Sequence, residues 1–408
     1  MPAVPLAAIS HAELRSLVLV LAASAVAAFL SRIGPRLVLP TVVVEIVLGI
    51  LLGPQVFGWA DAGDYIEFLS NFGLALLFFF AGIEVLAEHV PKRAIVRGTI
   101  GWTISLALGI AVGYILHGQG LDAAGWLVGI ALSTTALGTL VPILSDSGAI
   151  ATPLGTAVLG TGVAGEFWPI TIISIFLTGV YGAATEAVLL VVFGAIVFGV
   201  AALALRARPP RLVRIMRETL HSTGQTAVRL AMALLGALVL LASDVGFDFV
   251  LGAFAAGLIV GLVLDSPEGR VVRMRLEGIG FGFLIPIYFV TTGITFDLDS
   301  LLTAHGFAIA ILFLGLLLLV RGASALLWLR ELGARQAAAL AVFGATALPL
   351  IVASVTIGTE RGAISAQVGA SLIGAGMLSV LAYPLLADAL ARTGQWPAGP
   401  PAEDESEF

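Results

Sequence analysis

Apolar runs long enough to cross a bilayer follow one another along almost the whole chain, separated by short polar turns. They cover approximately 14–31, 38–56, 65–86, 95–117, 124–145, 153–178 and 184–205, then 226–242, 247–265, 278–295, 307–329, 335–358 and 364–390. A run of about 20 apolar residues fits a helix spanning the hydrocarbon layer, so the pattern predicts an all-α polytopic membrane protein with about 13 transmembrane helices. Only 11% of the residues are charged, against about 25% in ordinary soluble domains. The first run contains AASA at 22–25, but no basic residue precedes Arg15. A cleaved leader needs a positive n-region, so this run is read as a span after a short segment 1–13.

Enzymatic chemistry finds little support. The chain has no cysteine and five scattered histidines without HExxH spacing, which argues against thiol nucleophiles and metal centres. No nucleophile–base constellation is evident, no cofactor is expected, and nothing suggests a nucleic-acid partner. The stretch GTGVAG at 160–165 satisfies the GxGxxG pattern. That fingerprint needs a strand–turn–helix, whereas inside an apolar helix the glycines signal close packing.

Basic residues fall in alternate loops: Arg32 and Arg36; Lys92, Arg93 and Arg97; Arg206, Arg208, Arg211, Arg214 and Arg217; Arg270, Arg273 and Arg275; Arg330 and Arg335; and Arg392 in the tail. The opposite loops carry Asp61, Asp64, Asp122, Asp244, Asp297 and Asp299, with Arg361 alone as a base. By the positive-inside rule the N-terminus is expected outside and the C-terminus in the cytoplasm. The scarcity of lysine suggests a bacterial source, and hence the inner membrane.

The chain also repeats itself. GTAVLGTGVAGEFWP at 155–169 matches GASLIGAGMLSVLAYP at 369–384, with Gly155, Gly160 and Gly162 falling on Gly369, Gly374 and Gly376. FGLALLFFFAGI (72–83) resembles FGFLIPIYFVTTGI (281–294), Thr135-Ala136-Leu137 recurs as Thr346-Ala347-Leu348, and Gly148-Ala149-Ile150 as Gly362-Ala363-Ile364. Each match joins a span to the one seven later, so the copies run in opposite directions. Spans 14–178 and 226–390 then read as inverted repeats joined by a linker helix, 184–205. Inverted repeats are typical of secondary transporters, which bind substrate where broken helices meet at mid-membrane.

Two spans carry the means to break. The first, 124–145, has Ser133, Thr134, Thr135 and Gly138 at its centre and then Pro142; its partner 335–358 has Gly344, Thr346 and Pro349. Proline removes a backbone donor and glycine eases unwinding, which frees carbonyls and hydroxyls to ligate a cation.

The repeat differs chemically at one place: Glu166 stands where the second copy has Val380. Glu166 is near the middle of its span, and a mid-membrane carboxylate is costly enough to mark a functional site. Arg321, slightly past the middle of 307–329, is its natural counter-ion, unless it snorkels to the interface. Glu45 and Glu84 also lie within spans, nearer the cytoplasmic ends, and are read as secondary candidates with a structural role.

These residues together resemble a known family, the bacterial monovalent cation/proton antiporters of the sodium/proton exchanger superfamily, in particular the branch containing glutathione-gated potassium efflux systems. The resemblance covers about 14–390 and rests on PTVVVEIVLGILLGP (40–54), NFGLALLFFFAGIE (71–84), IPIYFVTTGITFDL (285–298) and ATALPLIVAS (345–354). It implies a core domain with two crossed, discontinuous helices, a panel-like dimerisation domain and a homodimer. It places the family's acidic pair on Gly165-Glu166 and the family's later-helix base on Arg321. Two departures stand out: Gly165 replaces the first member of the pair, and glutamate replaces aspartate. The nucleotide-binding domain of potassium efflux relatives is not expected, and 391–408 reads as a short acidic cytoplasmic tail.

The expectation is exchange of Na⁺ or K⁺ for H⁺, probed at Glu166 with Ser133, Thr134 and Thr135 completing the cation shell, Arg321 tuning the acid, and Thr346 as a further ligand. A single central acid implies electroneutral exchange. Alternatives from the same residues are an organic-anion symporter of related architecture and a membrane sensor without transport.

Overall fold

A computed structural model describes residues 10–31, 40–87, 90–146, 149–176, 192–200, 202, 225–264 and 267–391. Arg32, Arg36, Gly148, the arginines between 206 and 217, most of the linker helix expected at 184–205 and the tail beyond Ala391 lie outside them. The described residues are almost wholly helical, with one isolated antiparallel bridge between Ala123 and Ile364. Among them, eight helical stretches are long and apolar enough to cross a membrane, alongside shorter apolar helices at Thr41–Leu52, Gly125–Val141 and Phe249–Val263.

The chain divides into two compact units, each drawn from both halves of the sequence: 1–88 with 170–303, and 89–169 with 304–408. The first unit contains α1 (His11–Leu30), α2 (Thr41–Leu52) and α3 (Asp64–Ala87). From the later half it adds α8 (Thr226–Val245), α9 (Phe249–Val263), α10 (Pro267–Ile279), α11 (Ile285–Ile294) and the short α12 (Leu298–Leu302). A π-helical turn, Gly280–Leu284, joins α10 to α11, just before Pro286, whose missing N–H disturbs the helical ladder there. Its helices meet backbone to backbone through glycine. A Cβ on Gly49 or Gly293 would strike the facing α11 or α2 backbone, and one on Gly82 or Gly257 would strike α9 or α3. Without a hydrophobic force between helices in lipid, such close approach supplies the packing energy.

The second unit contains α4 (Lys92–Gly118), α5 (Gly125–Leu132), α6 (Leu137–Asp146) and α7 (Pro153–Phe176) as far as Pro169. Its later half brings α13 (Ala304–Gly322), a 3-10 stretch Ala323–Trp328, α14 (Leu329–Gly344), α15 (Pro349–Glu360) and α16 (Ala366–Ala391). Gly109 and Gly113 of α4 face Gly129 and Gly125 of α5, and Gly98 lies against the Gly160 carbonyl of α7. Outside the broken region the loop before α5 pairs with the loop after α15: Ala124 N–H donates to Ala363 O at 2.8 Å and Ser365 N–H to Asp122 O at 3.0 Å. α16 is tied to α13 by Tyr383 Oη donating to Leu314 O at 2.6 Å and Ser371 Oγ to Gly306 O at 3.1 Å.

Both spans expected to break do so. The helix stops at Leu132 and restarts at Leu137, and stops at Gly344 and restarts at Pro349. In the second, proline is the restart residue, where its missing N–H is harmless. In the first, Pro142 falls inside α6, and the unwinding takes place upstream at 133–136.

Candidate functional site: a charged crossing of two broken helices

The unwound segments 133–136 and 345–348 touch through their backbones: Ala136 N–H donates to Thr346 O at 2.8 Å. Thr135 is the hub. Its hydroxyl donates to Gly344 O at 2.6 Å and accepts from Arg321 Nε at 2.9 Å, while its N–H donates to Gly165 O at 3.1 Å. The last bond has a covalent cause. Pro169 lies four residues after Gly165 and carries no N–H, so the Gly165 carbonyl has no proline amide to receive within its helix and turns to the broken segment.

The two charges meet helix termini of the opposite sign. Glu166 is buried (7% exposed), and its Oε1 accepts from Leu137 N–H at 2.9 Å. It thereby caps the first turn of α6, where the dipole is positive. Arg321 is entirely buried at 0% exposure; Nε also donates to Gly344 O at 3.2 Å, the C-terminal carbonyl of α14, and Nη2 to Thr161 O at 3.2 Å. Its place at a helix C-terminus is the favourable one for a cation. The snorkelling alternative for Arg321 is therefore excluded, and its described bonds go to Thr135 and to the two carbonyls. Arg321 Nη1 and Thr161 Oγ1 are buried without a hydrogen-bond partner among the described residues.

The glycine at 165 is explained by its neighbours. A Cβ there would lie 2.8 Å from Arg321 Nη2, 2.8 Å from Thr135 Oγ1 and 2.9 Å from Thr135 Cβ. The guanidinium and Thr135 occupy the room that a first member of an acidic pair would need. Further along α7, Trp168 stacks on Trp102 of α4 at 5.9 Å between rings, and its Nε1 donates to Thr99 Oγ1 at 3.3 Å.

The other expected ligands are arranged differently from one another. Ser133 and Thr134 are fully buried beside Thr135, but their hydroxyls donate back to Ile130 O and Ala131 O, both at 2.8 Å. Thr346 bonds weakly to Val342 O of its own helix at 3.5 Å. Glu45, buried in α2, and Glu84, half-buried in α3, belong to the other unit. One residue escaped the sequence reading. Ser379 of α16 accepts from Ala347 N–H at 3.1 Å, and its one hydroxyl proton has Gly376 O at 2.8 Å and Ala347 O at 3.1 Å as alternative acceptors. It serves the second broken helix as Glu166 serves the first. The repeat alignment held the signal, since Ser379 falls on Gly165.

An all-helical membrane chain with two broken helices crossing at buried charges has the fold of a sodium/proton antiporter. The solved sodium proton antiporter MjNhaP1 from Methanocaldococcus jannaschii superposes with a TM-score of 0.67 over 92% of this chain and 98% of that one, at 18% identity. The chain belongs to the transmembrane sodium/hydrogen exchanger family, whose model matches residues 20–391. Among curated relatives, the putative Na⁺/H⁺ antiporter YjbQ of Bacillus subtilis is 28% identical over 397 residues, covering 92% of this chain. The Na⁺/H⁺-K⁺ antiporter GerN of Bacillus cereus is 25% identical over 285 residues, covering 69% of this chain and 72% of its own length. The chain spans 63% of the length of YjbQ.

Proposed function

We propose that this chain is a secondary transporter exchanging a monovalent cation, Na⁺ or K⁺, for protons across a bacterial plasma membrane, with Glu166 as the carboxylate for which the two compete. The single observation that carries the reading is a buried glutamate capping a half-helix at the crossing of two broken helices. A mid-membrane acid of this kind binds a proton or a cation, and either neutralises it. Thr135 and Arg321 hold the crossing together. Ser133, Thr134 and Thr346 join the cation shell only if their hydroxyls release their own helices, so they rank after Glu166. The paired element order of the second unit, a long helix, a broken one and a long one drawn from each half, supports the inverted-repeat reading of 14–178 and 226–390. In this scheme the N-terminus is outside, the tail cytoplasmic, and the protein a homodimer through its first unit.

One central acid alternating between H⁺ and a monovalent cation carries the same charge in both directions, so exchange is electroneutral. The test is purified protein in liposomes with an imposed pH gradient, followed by fluorescence dequenching on adding Na⁺, K⁺ and Li⁺ in turn. The reading requires dequenching with at least one cation and its loss in Glu166→Gln. No response to any of the three, or full activity in the variant, overturns it. A sustained current under voltage clamp would overturn electroneutrality alone.

A further inference from the structure

The first two turns of α4 carry Lys92, Arg93 and Arg97, and the same face exposes Val96 and Ile100 at 59% and 52%. With Leu327 of the 3-10 stretch these residues line an open groove of about 530 Å³. Glu331 meets two of the cations, Arg93 at 3.0 Å and Arg97, and the Arg97 guanidinium lies 4.7 Å above the Trp328 ring. Lys92 has no ion-pair partner among the described residues. One carboxylate against three cations leaves the rim positive. Val96 and Ile100 stay exposed among the described residues, and Ile104, one turn further along α4, continues them at 42% exposure.

A free anion would use the rim and leave the apolar track bare. A phospholipid uses both, because its phosphate and its acyl chain are joined in the order this surface presents them. We propose that the groove seats an anionic phospholipid of the leaflet facing the basic loops, with its phosphate against Lys92, Arg93 and Arg97 and an acyl chain along Val96, Ile100 and Leu327. The 3-10 stretch that forms one wall starts two residues after Arg321, so an occupant braces the end of the helix that carries the buried guanidinium. The assignment rests on this chain lying in a membrane and not on the ion it carries.

The test is thermal unfolding of the full chain in detergent, followed by tryptophan fluorescence and titrated separately with phosphatidylglycerol, phosphatidylcholine and inorganic phosphate. Phosphatidylglycerol should raise the midpoint saturably, and the other two should not. Lys92→Gln with Arg93→Gln changes only exposed side chains, and each lost cation should weaken the apparent affinity about fivefold near a membrane surface. Ile100→Gln should weaken the lipid response through the apolar track while leaving the midpoint without lipid unchanged. Equal stabilisation by phosphate would make this a free-anion site, and equal stabilisation by phosphatidylcholine a non-specific lipid effect. Either result, or a wild-type titration in the double variant, overturns the proposal.

Discussion

Replacing Gly165 by alanine tests the packing of the crossing with a single carbon. The new Cβ would stand 2.8 Å from Arg321 Nη2 and Thr135 Oγ1 and 2.9 Å from Thr135 Cβ, each well inside van der Waals contact. Thr135 cannot retreat easily, because its N–H is bonded to Gly165 O and its hydroxyl to Gly344 O. Overpacking of this kind costs about 1–3 kcal/mol. Arg321→Lys removes Nη2 while keeping the charge, so it takes away one of the three clashes. The penalty of Gly165→Ala should therefore be smaller in the Arg321→Lys background, with a coupling of about 1 kcal/mol, inside the range found for residues in contact. The assay is thermal unfolding of the four proteins of the cycle, read by intrinsic tryptophan fluorescence; with no cysteine in the chain, thiol-reactive dyes have nothing to label. Additive effects within about 0.3 kcal/mol, or a Gly165→Ala protein as stable as wild type, would refute the claim that the guanidinium fills the missing side chain.

Ser379→Ala should destabilise the protein by about 1–2 kcal/mol, since it leaves the buried Ala347 N–H without its acceptor; thermal unfolding checks this, and an unchanged midpoint would count against the matching roles of Ser379 and Glu166. Thr135→Val keeps the shape but deletes the bonds to Gly344 and Arg321, and should lower stability by about 1–3 kcal/mol and abolish cation-dependent dequenching. Gly98→Ala places a methyl on the Gly160 carbonyl and should reduce the yield of folded protein, whereas the same change at Gly118, which faces open space, should not; expression and size-exclusion profiles separate the two.

Much of this fold could be read from local chemistry. The apolar runs define the spans, and glycine, threonine and proline clusters locate both breaks, because the residues that weaken a helical ladder do so wherever they stand. Glu166 stands out in the sequence because an isolated acid in an apolar run has few innocent explanations, and the structure buries it at the crossing. The fate of Arg321 is not legible in the sequence. A long side chain in the cytoplasmic half of a span is able to reach water, and only the three-dimensional placing of Thr135, Gly344 and Thr161 decides that it stays inside. Gly165 looked like a lost functional group for the same reason: a sequence shows that a side chain is missing, not that a neighbour from another helix has taken its volume. The hydroxyls of Ser133 and Thr134 lie in the first break, next to Thr135. Their orientation onto Ile130 O and Ala131 O of their own helix is a property of the folded break that no spacing rule encodes.

The broken segments are irregular, yet four amides at the crossing are firmly held. Thr135, Ala136, Leu137 and Ala347 donate to Gly165 O, Thr346 O, Glu166 Oε1 and Ser379 Oγ respectively. In hydrogen–deuterium exchange such a coil should behave as protected backbone rather than as a loop. One of these protons is unlike the others. The Leu137 amide is held by the carboxylate that we propose carries the transported ion, so its exchange rate and chemical shift should change whenever a proton or a cation takes over the oxygen that it bonds. If Glu166 is the carrier proposed above, the molecule has a spectroscopic reporter at that carboxylate, at a position where no label has to be introduced.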